Sequence, residues 1–145
     1  MPAPGRVLGL DLGDVRIGVA VSDDVRRVAV QLGTVHVGRP PGELKAIAAL
    51  VRDNDVTLIV VGLPLSLDGQ RGPRAMHAEA FADGLRAAVP VPIVLHDERL
   101  TTVEAERGLR DAGMRSRDRR AVVDAEAARI LLQAWLDTTR GPATG

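Results

Sequence analysis

The stretch Arg6-Val7-Leu8-Gly9-Leu10-Asp11-Leu12-Gly13-Asp14-Val15-Arg16-Ile17-Gly18-Val19-Ala20-Val21-Ser22 holds two apolar runs around one short polar break. The first, Arg6 to Asp11, is nearly continuous in apolar residues and is closed by Gly13, as expected of a central strand covered on both faces. The second, Ile17 to Ser22, follows after only Leu12 to Arg16, so the two should form a hairpin. A third strand, Val28 to Val37, comes after the polar turn Asp23 to Arg27. Its alternation shifts at Gly33, where a bulge or bend is expected. Three strands joined this tightly predict an antiparallel meander at the start of a sheet.

Beyond the meander the period changes. Leu44, Ile47, Ala48 and Val51 recur at helical spacing after Pro41-Gly42, with Asn54 as the stop. Thr57 to Gly62 reads as a fourth strand and Leu63 to Gly72 as a loop. Pro73 suits the first turn of a helix whose apolar stripe is Ala78, Phe81, Ala82 and Leu85. Pro90 and Pro92 bracket the entry to a fifth strand, Val91 to His96. Thr101 to Glu104 fits a capping box that opens a helix to about Ala112. A last helix, Arg119 to Asp137, puts Asp124, Ala127, Ala128, Leu131 and Trp135 on one face. The order βββαβαβαα predicts an α/β domain over residues 1–137. Its five-stranded mixed sheet is antiparallel in its first three strands and carries helices on its faces, with a flexible tail over 138–145.

Composition narrows the chemistry. The 145 residues carry 19 basic and 19 acidic side chains, no cysteine, and only Phe81 and Trp135 as aromatics. At 46% hydrophobic residues a chain of this size buries about two-thirds of its unfolded surface and needs no disulfide or structural metal. The charge balance argues against a uniformly basic nucleic-acid coat, and the missing aromatics argue against stacking successive bases on aromatic platforms. Any contact with nucleic acid has to be made through phosphates. The N-terminus lacks the pattern of a signal peptide and no apolar run approaches the length of a bilayer span, which predicts a cytoplasmic protein with no membrane partner.

Three acidic residues stand at telling places. Asp11 closes the first strand, Glu98 follows the fifth, and Asp124 sits on the apolar face of the last helix, where a carboxylate is costly unless paired or metal-bound. Four motifs run in order through the chain: Gly9-Leu10-Asp11-Leu12-Gly13 with Arg16-Ile17-Gly18-Val19-Ala20 and Ser22-Asp23; Val61-Gly62-Leu63-Pro64 with Asp68-Gly69; Asp97-Glu98-Arg99-Leu100-Thr101-Thr102; and Val123-Asp124 with Ala127-Ala128. Together they resemble the YqgF/RuvX family, Holliday-junction-resolvase-like proteins also described as pre-16S rRNA nucleases. The resemblance runs from about Val7 to Leu136 and implies an RNase H-like fold. It puts Asp11, Glu98 and Asp124 on the family's acidic positions. One departure is Val15, where many members carry Lys before the Arg; Arg16 itself is kept.

The activity so implied is hydrolysis of phosphodiester bonds in structured nucleic acid, with 5′-end maturation of pre-16S rRNA as the first expectation and resolution of branched DNA as the second. Two Mg²⁺ or Mn²⁺ ions about 3.5 to 4 Å apart can activate water and stabilise the leaving oxygen, and such hard cations take oxygen ligands. Asp11, Glu98 and Asp124 would be both the catalytic set and the metal ligands. Asp97 and Glu98 are neighbours on an extended segment and should point to opposite sides, so one of them is the ligand; Glu98 is preferred, with Asp97 paired to Arg99 or taking that place. The alternative for Asp124, less favoured, is a helix-face carboxylate paired with Arg119 or Arg120.

For the nucleic acid, Arg16 is one candidate phosphate contact. The glycine-containing loop supplies Ser66, Arg71 and Arg74 near a helix N-terminus. Downstream, Arg107, Arg110, Arg115, Arg117, Arg119 and Arg120 outnumber Asp111 and Asp118; of these, Arg115, Arg117, Arg119 and Arg120 are the expected contacts, because guanidinium groups grip phosphates without reading sequence. His36, His77 and His96 are not spaced as a metal motif. A monomer or weak homodimer is expected. A nucleotide-binding actin-like lobe also opens on Gly-Leu-Asp-x-Gly but needs two lobes, and a non-catalytic RNA or ribosome-assembly module would not need the three carboxylates.

Overall fold

A computed structural model describes residues 3–38, 42–66, 68–100 and 117–139. Strands β1 (Arg6–Leu12), β2 (Arg16–Ser22) and β3 (Ala29–His36) are followed by helix α1 (Gly42–Asp53), β4 (Val56–Leu63), α2 (Pro73–Ala88), β5 (Ile93–Asp97), a single 3-10 turn (Glu98–Leu100) and α3 (Arg117–Thr139). The strands form one sheet in the order β3-β2-β1-β4-β5. β1 pairs antiparallel with β2, and β2 with β3, whereas β1–β4 and β4–β5 are parallel. The meander and the mixed sheet are therefore as the sequence predicts. So is the bulge: the β2–β3 register skips Leu32 beside Gly33, whose φ of +141° few other residues adopt.

The two faces of the sheet are covered by different helices, and strand alternation assigns each residue to one of them. Leu8, Leu10, Ile17, Val19, Ile59 and Val61 pack with α1 and α2 in one core. Val7, Ala20, Ala29 and Val60 pack with Ala128, Leu132 and Leu136 of α3 in the other. The central strand β1 is buried on both faces, which is why its sequence is apolar without interruption until Asp11.

Several boundaries differ from expectation. β5 begins at Ile93, because Pro92 has no N–H for the ladder and instead accepts, through its carbonyl, a bond from the Ile59 N–H. α3 starts at Arg117 and extends to Thr139, two residues beyond the predicted end at each terminus; the Thr138 and Thr139 hydroxyls bond back to the Trp135 carbonyl and finish the last turn. Leu132 and Leu136, absent from the predicted stripe, are fully buried, while Trp135 packs at the edge. α2 opens at Pro73 as expected, with Gly72 as its N-cap. The helix predicted over Thr101 to Ala112, with Arg107, Arg110 and Arg115, lies outside the described residues.

Candidate active site

Asp11 is the last buried residue of β1, 3% exposed. Alternation from Val7 and Gly9 turns its side chain toward the α3 face. Its antiparallel partner is Gly18, and directly opposed residues share a face. A Cβ at Gly18 would stand 1.9 Å from the Asp124 carbonyl oxygen, so the α3 backbone at Asp124 rests on the strand pair that carries Asp11. The missing side chain at Gly18 is what lets the helix come this close.

The same construction recurs on the other side of β1. Gly62 of β4 is paired with His96 of β5, and a Cβ at Gly62 would meet Glu98 Oε1 at 2.6 Å. Glu98 therefore lies over Gly62. Gly62 follows Val61, the register partner sequence of Leu10, and shares the α3 face with Val60 by alternation. Asp11, Glu98 and Asp124 thus come from β1, the turn after β5, and α3 to one face of the sheet, at the end where β1, β4 and β5 finish.

Asp97 goes elsewhere. Its carboxylate accepts bonds from Arg99 Nε at 3.0 and 3.1 Å and from the Arg99 backbone N–H at 2.9 Å. The guanidinium hydrogen bond holds the Asp97 carboxyl below its ordinary range. Of the two neighbouring acids, Glu98 is the one brought to the face of Asp11, and Asp97 fixes the turn that presents it.

Arg16 Nε donates to Asp124 Oδ2 at 3.0 Å, with both side chains largely buried. Asp124 is thus held by Arg16 of β2, a residue far from it in sequence, while the side chains of Arg119 and Arg120 lie outside the described ones. Carboxylates crowded on one face repel one another, and Arg16 is a cation that offsets Asp124. His96, buried on the same face, has no partner for Nε2 among the described residues; burial lowers its pKa and favours the neutral imidazole. Sequence spacing offered no reason to single it out, but its even-numbered offset from Val94 on β5 does place it on the α3 face.

Among the described residues, no three His, Asp or Glu side chains stand together closely enough to hold a metal ion. The donor chemistry nevertheless suits a hard divalent cation, since all three predicted ligands are carboxylates at one end of the sheet.

The predicted phosphate contacts fall into separate groups. Arg74 is exposed in the first turn of α2, which carries no acidic residue and no side-chain cap at Gly72. Arg71 is engaged by Glu79, with Nε at 2.8 Å from Oε1. Ser66 bonds Asp68 and the Gln70 carbonyl, closing the loop on itself. Arg117, Arg119 and Arg120 belong to the first turn of α3, and Arg115 lies outside the described residues. A cleft of about 280 Å³ runs between the β1–β2 turn, the end of β4 and the start of α2; Gly62, Arg74 and Glu98 are among its walls.

The fold has solved counterparts. It resembles Thermus thermophilus RuvC in complex with Holliday junction substrate, at a TM-score of 0.51 and 19% identity over 94% of this chain and 96% of that one. It also resembles the fowlpox virus resolvase bound to Holliday junction DNA, at 0.53 and 8% identity over 92% and 98%. These show that the chain shares the fold of both proteins, an RNase H-like architecture. The RuvX family, described as Holliday junction resolvase, matches residues 5–138, and the chain belongs to it. Among its relatives is a protein of Anaeromyxobacter dehalogenans (strain 2CP-C) named "Putative pre-16S rRNA nuclease", 52% identical over 91% of this chain and 96% of the relative. A Roseiflexus sp. (strain RS-1) protein of the same name is 47% identical over 94% and 97%.

Proposed function

We propose that this chain is a divalent-metal-dependent nuclease that hydrolyses phosphodiester bonds in structured nucleic acid, and that it acts in the cytoplasm on the 5′ end of pre-16S rRNA. What supports the reading is the placement of Asp11, Glu98 and Asp124 on one face at one end of the sheet, beside Gly18 and Gly62. Family membership and the names of the relatives supply the reaction class and the rRNA substrate.

Asp11, Glu98 and Asp124 would hold Mg²⁺ or Mn²⁺. When bound, such ions supply stabilisation of the negative charge that develops on the phosphate. The protein's own residues do the rest. Arg16 orients Asp124, and the Asp97–Arg99 pair fixes the turn that presents Glu98. Arg74 and the uncapped start of α2 offer positive charge to a phosphate at the mouth of the cleft. Binding through Arg16, Ser66, Arg71, Arg74, Arg115, Arg117, Arg119 and Arg120 would give affinity without sequence readout.

The test compares the wild type with Asp11→Asn, Glu98→Gln and Asp124→Asn on labelled precursor 16S rRNA and on four-way junction DNA, with Mg²⁺, Mn²⁺ or EDTA. Each substitution should lower cleavage about a hundredfold, the scale on which metal sites respond, and EDTA should abolish it. Unchanged cleavage in all three variants overturns the site. Cleavage of the junction alone makes the protein a resolvase, and no wild-type cleavage of either substrate makes it a binding module.

A further inference from the structure

The cleft beside the carboxylates has a composition of its own. Leu12, Val37, Pro64 and Pro73 give it an aliphatic wall, while Asp14 and His77 stand at its rim. Val37, just after β3, is 40% exposed and adds open apolar surface to the cleft. Two features tie the cleft to a phosphate chain. Exposed Arg74 adds positive charge at its edge, and Glu98 and Gly62 belong both to the cleft and to the carboxylate face.

We propose that this cleft holds one unpaired nucleotide of the substrate, its base against the aliphatic wall and its phosphate toward Arg74, next to the phosphodiester that is cut. A base has two apolar faces and a polar edge, matching a wall of Leu, Val and Pro rimmed by a carboxylate and an imidazole that can accept and donate hydrogen bonds. A volume of about 280 Å³ is large enough to admit a base. A base already unpaired enters without the unstacking cost that a duplex imposes. The absence of aromatic residues does not oppose this, since the contact is one base on an aliphatic surface and not a stacked series. The inference rests on the nuclease reading for the position of the scissile bond.

The experiment measures binding in EDTA, where no cleavage intervenes, to a blunt RNA duplex and to the same duplex carrying one bulged 2-aminopurine nucleotide. The wild type should bind the bulged duplex about tenfold more tightly, equivalent to about 1.4 kcal/mol, and the probe's fluorescence should change on binding. Val37→Trp fills the cleft from an exposed position and should remove most of that preference while changing blunt-duplex affinity less than about twofold. His77→Ala, on the exposed face of α2, should weaken it by a smaller factor and serves if the first variant does not fold. Equal affinity of the wild type for both duplexes overturns the proposal, as does a bulge preference that survives both substitutions. Failure of the nuclease reading is separately visible: the three carboxylate variants would leave cleavage unchanged whatever the bulge preference.

Discussion

Two glycines do different work at the site, and their substitutions should separate stability from activity. At Gly18 a Cβ meets the backbone carbonyl of Asp124 at 1.9 Å, an atom that cannot rotate away, so α3 would have to lift from β2. Gly18→Ala should therefore cost about 3 kcal/mol in urea unfolding, the upper range of overpacking. At Gly62 the nearest atoms belong to the flexible Glu98 side chain, Oε1 foremost. Gly62→Ala should leave stability nearly intact, displace Glu98, and lower cleavage sharply. Gly38, with nothing within 4 Å of a Cβ, is the control, and its alanine variant should stay within about 0.5 kcal/mol. Equal stability losses at Gly18 and Gly38 would contradict the close approach of α3.

Asp23 shows what a surface carboxylate does when the backbone is aimed at it. Its Oδ1 accepts the Val28 N–H at 3.0 Å and the Arg27 N–H at 2.7 Å, closing the β2–β3 turn in which Arg26 takes a φ of +61°. The Val28 bond, with that from Arg27, holds its pKa below the ordinary value. A depressed folded-state pKa means that the contribution is fully present above the unfolded value near 3.9. It is lost as pH falls through the lower folded-state value. Asp23→Ala should destabilise by about 1 kcal/mol at neutral pH, and the difference from wild type should vanish in strong acid. A gap that persisted there would assign the effect to something other than the carboxylate. The sequence marked Asp23 as a turn and motif residue but not its backbone donors, which converge on it only in the folded turn.

At the scale of the element, α2 and its preceding loop offer two arginines that sequence alone treats as equivalent. Arg71 is already engaged by Glu79, whereas Arg74 lies exposed in a first turn without acidic residues. Arg74→Ala should reduce the slope of log binding constant against log salt by about one unit for a lost phosphate contact. Arg71→Ala should change it less, because freeing Arg71 means giving up its ion pair. Identical slopes for the two variants would erase the distinction. The period-2 and period-3.6 patterns made the strands and helices legible, since burial on a fixed face enforces them. What they could not supply was partnership: Asp124 reaches Arg16, distant in sequence, because α3 lies across β2. Leu132 and Leu136 were missed for a related reason, as α3 covers several strands and buries a broader face than one narrow stripe.

For the whole molecule, the balance of 19 basic and 19 acidic side chains hides a local concentration of carboxylates that a divalent ion would relieve. Binding to the folded chain alone raises stability by about 2.7 kcal/mol at a hundredfold excess over Kd, or several degrees in Tm for a chain of this size. Mn²⁺ should therefore raise the Tm of the wild type, EDTA should reverse the shift, and Asp11→Asn should abolish it. An equal shift in that variant would place the ion elsewhere. No helix among the described residues is long and apolar enough to cross a membrane.

The sequence by itself determined the class of the sheet, the order of its elements, the family resemblance and the three acidic positions, because each of these is written in local periodicity or in short motifs. Only the tertiary structure decided that Glu98 and not Asp97 shares the face of Asp11, that Arg16 holds Asp124, and that a cleft opens beside them. The physical reason is that face and contact are set by register and by how closely a helix can approach a strand. Here both turn on Gly18 and Gly62, residues whose contribution is the absence of a side chain.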